Sequence, residues 1–123
     1  MRKFQDLDIW KRSHALTLEI YRVTQQFFPK DELFALTSQI RRASASIPTN
    51  IAEGCGRSTN PDFNRFLQIA SGSTTEVEYQ LLLARDLSYI TEEIHAKLST
   101  EIVEIRKMIT AFSKNIPTFN ART

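Results

Sequence analysis

Four stretches of the chain repeat apolar residues at helical spacing, and the breaks between them fall at proline, glycine and capping residues. Helix one is predicted over about residues 8 to 28. Leu7, Trp10, Leu18, Tyr21 and Phe28 follow one face, and Ile9, Leu16, Ile20, Val23 and Phe27 widen it. Asp6 and Asp8 are the candidate N-caps. Pro29 ends the segment, because the residue before a proline is pushed out of helical geometry. Helix two is predicted over about 31 to 54, with Asp31 and Glu32 near its positive end. Leu33, Leu36, Ile40, Ala43, Ile47 and Ile51 recur every three, four or seven residues along it, a bundle seam. Pro48 interrupts this pattern, and a proline in a helix interior costs ~3 kcal/mol. Ile47 and Ile51 stay in phase across it, so one kinked helix is expected rather than two.

Gly54 and Gly56 are expected to end helix two in left-handed conformations, and Ser58, Thr59 and Asn60 make a polar connection. Asn60-Pro61 reads as an N-cap followed by proline at the first helical position. Helix three then covers about 61 to 87, with Phe63, Phe66, Ala70, Val77, Leu81 and Ala84 on one face. Thr91 caps helix four, about 91 to 116, whose stripe is Ile94, Leu98, Ile102, Ile105, Ile109, Phe112 and Ile116. Pro117 ends it and leaves a tail over 117–123. Helices of similar length joined by short connections pack as antiparallel neighbours. The expected fold class is therefore all-α, an antiparallel up-down-up-down four-helix bundle forming one domain over residues 1–123.

Composition narrows the function classes. Three glycines and four prolines are too few for a turn-rich β fold. Sixteen Lys+Arg against fourteen Asp+Glu leave a net charge of +2, with no basic arm or acidic tail. A nucleic-acid partner would have to meet a patch assembled by folding or by repetition across subunits. Cys55 is the single cysteine, which excludes an intrachain disulfide and two-cysteine metal or redox motifs. The N-terminus turns acidic at Asp6 and Asp8, where a signal peptide needs an apolar run, and no stretch is apolar enough to span a bilayer. A cytoplasmic location with no membrane partner is the expectation.

Helix two also carries a polar line, Gln39, Arg42, Ser46, Asn50 and Glu53, and helix three carries Arg65, Gln68, Gly72, Glu76 and Tyr79 at the same spacing. If the hairpin pivots near residue 59, Glu53 faces Arg65, Ser46 faces Gly72, Arg42 faces Glu76 and Gln39 faces Tyr79. Both charged pairs come out opposite in sign. The expectation is an ionic ladder that sets helix register, with Gly72 allowing close approach of the two backbones.

The residues Trp10, Tyr21, Phe28-Pro29, Glu32, Phe34, Leu36, Gln39-Ile40-Arg41-Arg42-Ala43, Ser46-Ile47, Asn50-Ile51-Ala52-Glu53-Gly54, Arg57, Phe63, Arg65-Phe66-Leu67, Ile69-Ala70 and Gly72-Ser73 through Glu76 and Glu78 resemble a known pattern. It is similar to the four-helix-bundle proteins encoded by intervening sequences within bacterial 23S ribosomal RNA genes, over about residues 4 to 115. The resemblance implies an antiparallel bundle that assembles as a homopentamer. A similar bundle is the accessory protein of diversity-generating retroelements, where it engages nucleic acid and the reverse transcriptase. The resemblance supplies no catalytic residue to carry over.

The remaining motifs have structural readings. Glu92-Glu93-Ile94-His95 contains a single Glu-x-x-His, which a di-metal bundle needs twice, and its acids suit the first turn of a helix. His14 belongs near the Trp10 and Leu18 face. Gly54-Cys55-Gly56 follows a helix and lacks the lysine of a phosphate loop, so Cys55 reads as an inert thiol. Ser73 and Thr74 fall in the buried stripe of helix three and bond to backbone or across the seam. No cofactor, metal or catalytic residue is expected. Arg2, Lys3, Lys11, Arg12 and Arg22 cluster towards one side of helix one, and Arg106, Lys107 and Lys114 towards one side of helix four. Lys11, Arg12, Arg22, Arg106 and Lys107 are the candidate nucleic-acid contacts, through repetition of a weak patch in a ring. The expected function is a non-enzymatic, homo-oligomeric interaction module for structured RNA or a nucleic-acid enzyme. The alternative is a structural or regulatory assembly with a protein partner and no nucleic acid.

Overall fold

The computed structural model describes residues 2–117, so the tail beyond Pro117 lies outside the described residues. Its four helices are α1 (Asp8–Phe27), α2 (Leu36–Cys55), α3 (Asn60–Asp86) and α4 (Glu92–Lys114), with short 3₁₀ turns at Phe4–Asp6 and Lys30–Glu32. Helix α1 packs on α2, α2 on α3 and α3 on α4, while α4 returns to α1, closing an antiparallel all-α bundle. The stripes predicted for α2, α3 and α4 meet in its centre, where Ile40, Ile47, Ile51, Val77, Ile102 and Ile105 lose essentially all contact with solvent, joined by Leu67, which no predicted stripe contained. On α1 the core face is rotated from expectation: Ile9, Leu16, Ile20 and Val23 turn inward, while Leu18, Tyr21 and Phe27, predicted on the apolar face, are exposed. Each fully buried aliphatic side chain contributes about 1.5 to 3 kcal/mol relative to exposure.

Helix α2 runs unbroken through Pro48. The carbonyl that Pro48 leaves without its usual N–H partner is that of Ser44, and the Thr17 hydroxyl on α1 donates to it at 3.0 Å. A buried line of hydroxyls, Ser13, Thr17 and Thr24 on α1 with Thr37 and Ser44 on α2, runs along this contact. Thr17, Thr24 and Ser44 also donate to carbonyls of their own helices.

The element ends depart from expectation in four places. Neither Asp6 nor Asp8 caps α1. Asp6 lies in the 3₁₀ turn, Asp8 is the first helical residue, and the cap is Leu7, held by its N–H to Phe4. Helix α2 begins at Leu36 rather than near 31, because Pro29 and the 3₁₀ turn delay it and Ala35 sits outside the helical region. Leu33, expected in the seam, is exposed as a result. Gly54 and Gly56 adopt no positive φ: Gly54 is interior to α2, and α2 closes through Gly56 N–H to Glu53 O. Thr59, not Asn60, caps α3, its hydroxyl accepting from Asp62 N–H at 3.2 Å. Thr91 caps α4 as expected, accepting from Ile94 N–H at 3.1 Å.

A clasp joins the two connections at one end of the bundle. Tyr89 donates its phenol to Glu32 at 2.6 Å, and the other Glu32 oxygen accepts from Leu36 N–H at 3.1 Å, so one carboxylate caps α2 and holds the α3–α4 turn. The Tyr89 bond first, and the Leu36 N–H second, hold Glu32 below the usual carboxylate range; the same bond holds the Tyr89 phenol above its usual range. The stabilisation is therefore fully present above the unfolded glutamate pKa of about 4.3 and below the unfolded tyrosine pKa of about 10. It is lost as pH falls through the lowered Glu32 value or rises through the raised Tyr89 value. Tyr89→Phe is expected to flatten the pH dependence of stability at both ends in thermal melts across pH; an unchanged acid limb would refute the clasp.

Candidate functional site

The polar seam between α2 and α3 exists, but in a different register from the ladder. Ser46 Oγ meets Ser73 Oγ at 3.0 Å, not Gly72, and Asn50 Nδ2 donates to Ser46 O at 2.8 Å and to its Oγ at 3.0 Å. One residue along a helix turns a side chain by about 100°, and this slip unmakes the charged pairs. Glu53 bonds Arg57 at 3.5 Å, while Arg65 bonds Asp62 at 2.9 Å, so the Glu53–Arg65 bridge gives way to partners one turn away on the same helix or its entry. Both guanidiniums stack on the Phe66 ring at 4.6 Å. Arg42 and Glu76 line one groove without forming an ion pair. Tyr79, 60% exposed, points away from Gln39 and lines the α3–α4 groove with Thr75, Glu78, Leu82, His95 and Ser99.

Gly72 makes no close approach, since a Cβ built on it would meet nothing within 4 Å. Gly72→Ala is accordingly expected to raise stability by about 0.5 to 1 kcal/mol through helix propensity, measured by urea unfolding. A loss would restore the close-approach reading.

The α2–α3 groove, about 470 Å³, is lined by Ser38, Gln39, Arg42, Ala43, Ser46 and Glu76, with Phe34 at its rim. Phe34 is 93% exposed. Glu76 accepts only a long 3.4 Å bond from Gln80 Nε2, and the buried Gln80 Oε1 has no partner among the described residues. Sequence reasoning missed Tyr89 and Thr17, placed Glu32 inside the start of helix two rather than capping it through Leu36 N–H, and assigned Phe34 no place on a surface. An apolar residue in a polar turn, or a threonine four residues after a serine in a helix opposite a proline-bearing one, was the available signal.

Of the candidate nucleic-acid contacts, the fold commits three to protein. Arg12 makes a two-pronged bridge to Glu101 at 3.0 and 2.6 Å, closing the α1–α4 side, and that hydrogen bond raises the guanidinium pKa. Arg106 bonds Glu78 at 2.7 Å across α3–α4, and Arg22 bonds Glu19 at 2.7 Å within α1. These arginines sit where the apolar stripe meets solvent, so a glutamate on the next turn or helix reaches them. Lys11 and Lys107 remain exposed without an ion-pair partner among the described residues. His14 stacks on Trp10 at 4.8 Å. Burial pushes the Cys55 thiol pKa up, which keeps it protonated.

Charge is separated along the bundle axis. Arg2 lies over the Phe63 and Phe112 rings, so the N-terminal segment, the α2–α3 turn and the end of α4 share one end, where Arg2, Lys3, Arg57, Arg65 and Lys114 exceed Asp6, Asp8, Glu53 and Asp62 by one charge, with Arg57 and Arg65 paired to the last two. The Glu32–Tyr89 clasp marks the other, where Asp31, Glu32, Asp86, Glu92 and Glu93 outnumber Lys30 and Arg85.

This bundle and its sequence match the family model of the 23S rRNA-intervening sequence protein over residues 5–111. The chain belongs to that family. It is also similar to a crystal structure from Bacteroides thetaiotaomicron, described as a protein with unknown function from the S23 ribosomal protein family. The two share 27% identity with a TM-score of 0.77, covering 87% of this chain and 99% of that one. No curated protein matches. As in the sequence reading, the family brings a helical fold, and no helix here is long and apolar enough to cross a membrane among the described residues.

Proposed function

We propose that this family member is a non-enzymatic, self-associating helical module, pentameric by its resemblance, that binds structured RNA through its basic end. The separation of charge along the axis carries this reading. A chain of net charge +2 has little attraction for a polyanion as a whole, but copies ringed about an axis parallel to the helices gather the small positive excess of each such end, with its Lys3 and Lys114, on one face and the acidic ends on the other. Lys3 and Lys114 stand at that end, and Lys11 and Lys107 lie on the flanks leading to it. Fluorescence anisotropy against structured RNA across salt concentrations tests the reading. Binding is expected at low salt, weakening linearly on a log–log plot as salt rises, and falling with Lys3→Glu and Lys114→Glu but not with Lys30→Glu at the opposite end. Absence of binding at tens of micromolar in low salt would sink it.

The alternative, an assembly with a protein partner and no nucleic acid, draws on Tyr79 and Leu82, exposed beside His95 in the α3–α4 groove. A stoichiometric, nuclease-resistant complex lost on Tyr79→Ala would favour it.

A further inference from the structure

The unpaired surface groups of the α2–α3 face lie together. Arginines elsewhere are engaged: Arg12, Arg22, Arg85 and Arg106 by carboxylates, Arg41 by Thr24 and the Tyr21 ring, Arg57 and Arg65 by Asp62 and Phe66, Arg2 by Phe63. Among the described residues Arg42 alone of the arginines has neither hydrogen bond, ion pair nor aromatic face, and it lines the α2–α3 groove. Across the groove stands Glu76 with its single long bond, backed by Gln80, which is 5% exposed and carries the partnerless Oε1. At the rim is Phe34, the most exposed large apolar side chain described. A bare phenyl ring is unfavourable to leave in water, and two exposed opposite charges without ion-pair partners are free to meet a partner's, so one occupant of the groove answers both.

A second surface of this chain has the complementary character. Leu18 and Tyr21, 46% and 43% exposed, form an i,i+3 ridge on α1, flanked by Arg22 and its partner Glu19. We propose that the α2–α3 groove of one chain receives this α1 ridge from a second copy. Leu18 and Tyr21 then cover Phe34 and Ala43, the second copy's Arg22 approaches Glu76, and its Glu19 approaches Arg42. The inference rests on the self-association reading above and deepens it by naming the two faces.

Both surfaces lie at one level of the bundle. Thr17 bonds Ser44 and Arg41 bonds Thr24 at 2.9 Å, which puts Leu18 and Tyr21 on α1 at the same height along the bundle as Arg41 and Arg42 on α2; Arg42 and Glu76 share the groove. Two different faces make a head-to-tail contact, and faces at equal height let successive copies close into a ring instead of climbing into a filament.

Leu18→Glu and Phe34→Asp test the pairing, both at positions whose side chains already meet solvent, with circular dichroism confirming that each variant stays helical. Sedimentation of the wild-type chain is expected to give a multimer, and each variant alone is expected to fall to the 14.2 kDa of one chain. Mixed in equal amounts the two variants are expected to form a heterodimer, because one supplies an intact groove and the other an intact ridge. A variant that keeps the wild-type mass, or a mixture that stays monomeric, overturns the assignment of faces while self-association stands. A monomeric wild-type chain overturns both.

Discussion

Gly54→Val is expected to cost about 3 kcal/mol of folding stability, the upper part of the range for overpacking a filled core. Even the first added atom has no room. A Cβ at Gly54 would lie 2.7 Å from Phe63 Cδ1, 3.1 Å from Phe63 Cε1 and 3.1 Å from Phe66 Cβ. Phe66 Cβ moves only if the α3 backbone moves. Phe63 is 2% exposed and pinned by the Phe112 ring at 5.9 Å and the Arg2 guanidinium at 4.9 Å, so neither ring swings aside cheaply. Relief comes from separating α2 and α3 at their turn. Gly72→Val is the control, since it carries the same change in helix propensity into open space. The difference between the two variants in urea unfolding isolates packing at Gly54, and equal values would show that α2 and α3 are not in close contact there.

That comparison also shows what the sequence could and could not say. Both glycines were visible, and the close approach was assigned to the wrong one. Periodicity located four helices because each buries a continuous stripe: Ile47 and Ile51 held phase across Pro48, and Ile102, Ile105 and Ile109 marked the core face of α4. Lateral pairing between helices depends on rotation about each axis, which a stripe defines only to within about one residue, or 100°. An error of that size replaced Ser73 by Gly72 opposite Ser46, and it turned Glu53 and Arg65 to Arg57 and Asp62. Exposure of an apolar residue in a turn is equally hidden. Leu33 reads as seam until Pro29, the 3₁₀ turn and the Glu32 cap postpone α2 to Leu36 and leave Leu33 and Phe34 exposed. The groove proposed as an interface thus owes its rim to a delayed helix start, a feature set by one carboxylate shared between Leu36 N–H and Tyr89.

Thr17→Val is expected to lower stability by about 1 to 3 kcal/mol, the desolvation cost of leaving a buried acceptor unpaired. The shape barely changes, so the loss reports the hydroxyl. Thr17 Oγ1 has one hydrogen within reach of Ser13 O at 2.9 Å and Ser44 O at 3.0 Å. Ser13 O stands in the intact α1 ladder, whereas Ser44 O is the acceptor that Pro48 cannot serve. The hydroxyl therefore matters because of the proline. In a Pro48→Ala background the new N–H donates to Ser44 O in the ordinary helical way, and Thr17→Val should then cost much less. Pro48→Ala alone gives up a buried ring while gaining a hydrogen bond, and its own sign decides nothing. The decisive quantity is the coupling between the two changes in a double-mutant cycle by urea unfolding, expected at about 1 kcal/mol or more. Additive effects would mean that Ser44 O needs no donor from α1, and that α2 passes through Pro48 on packing alone.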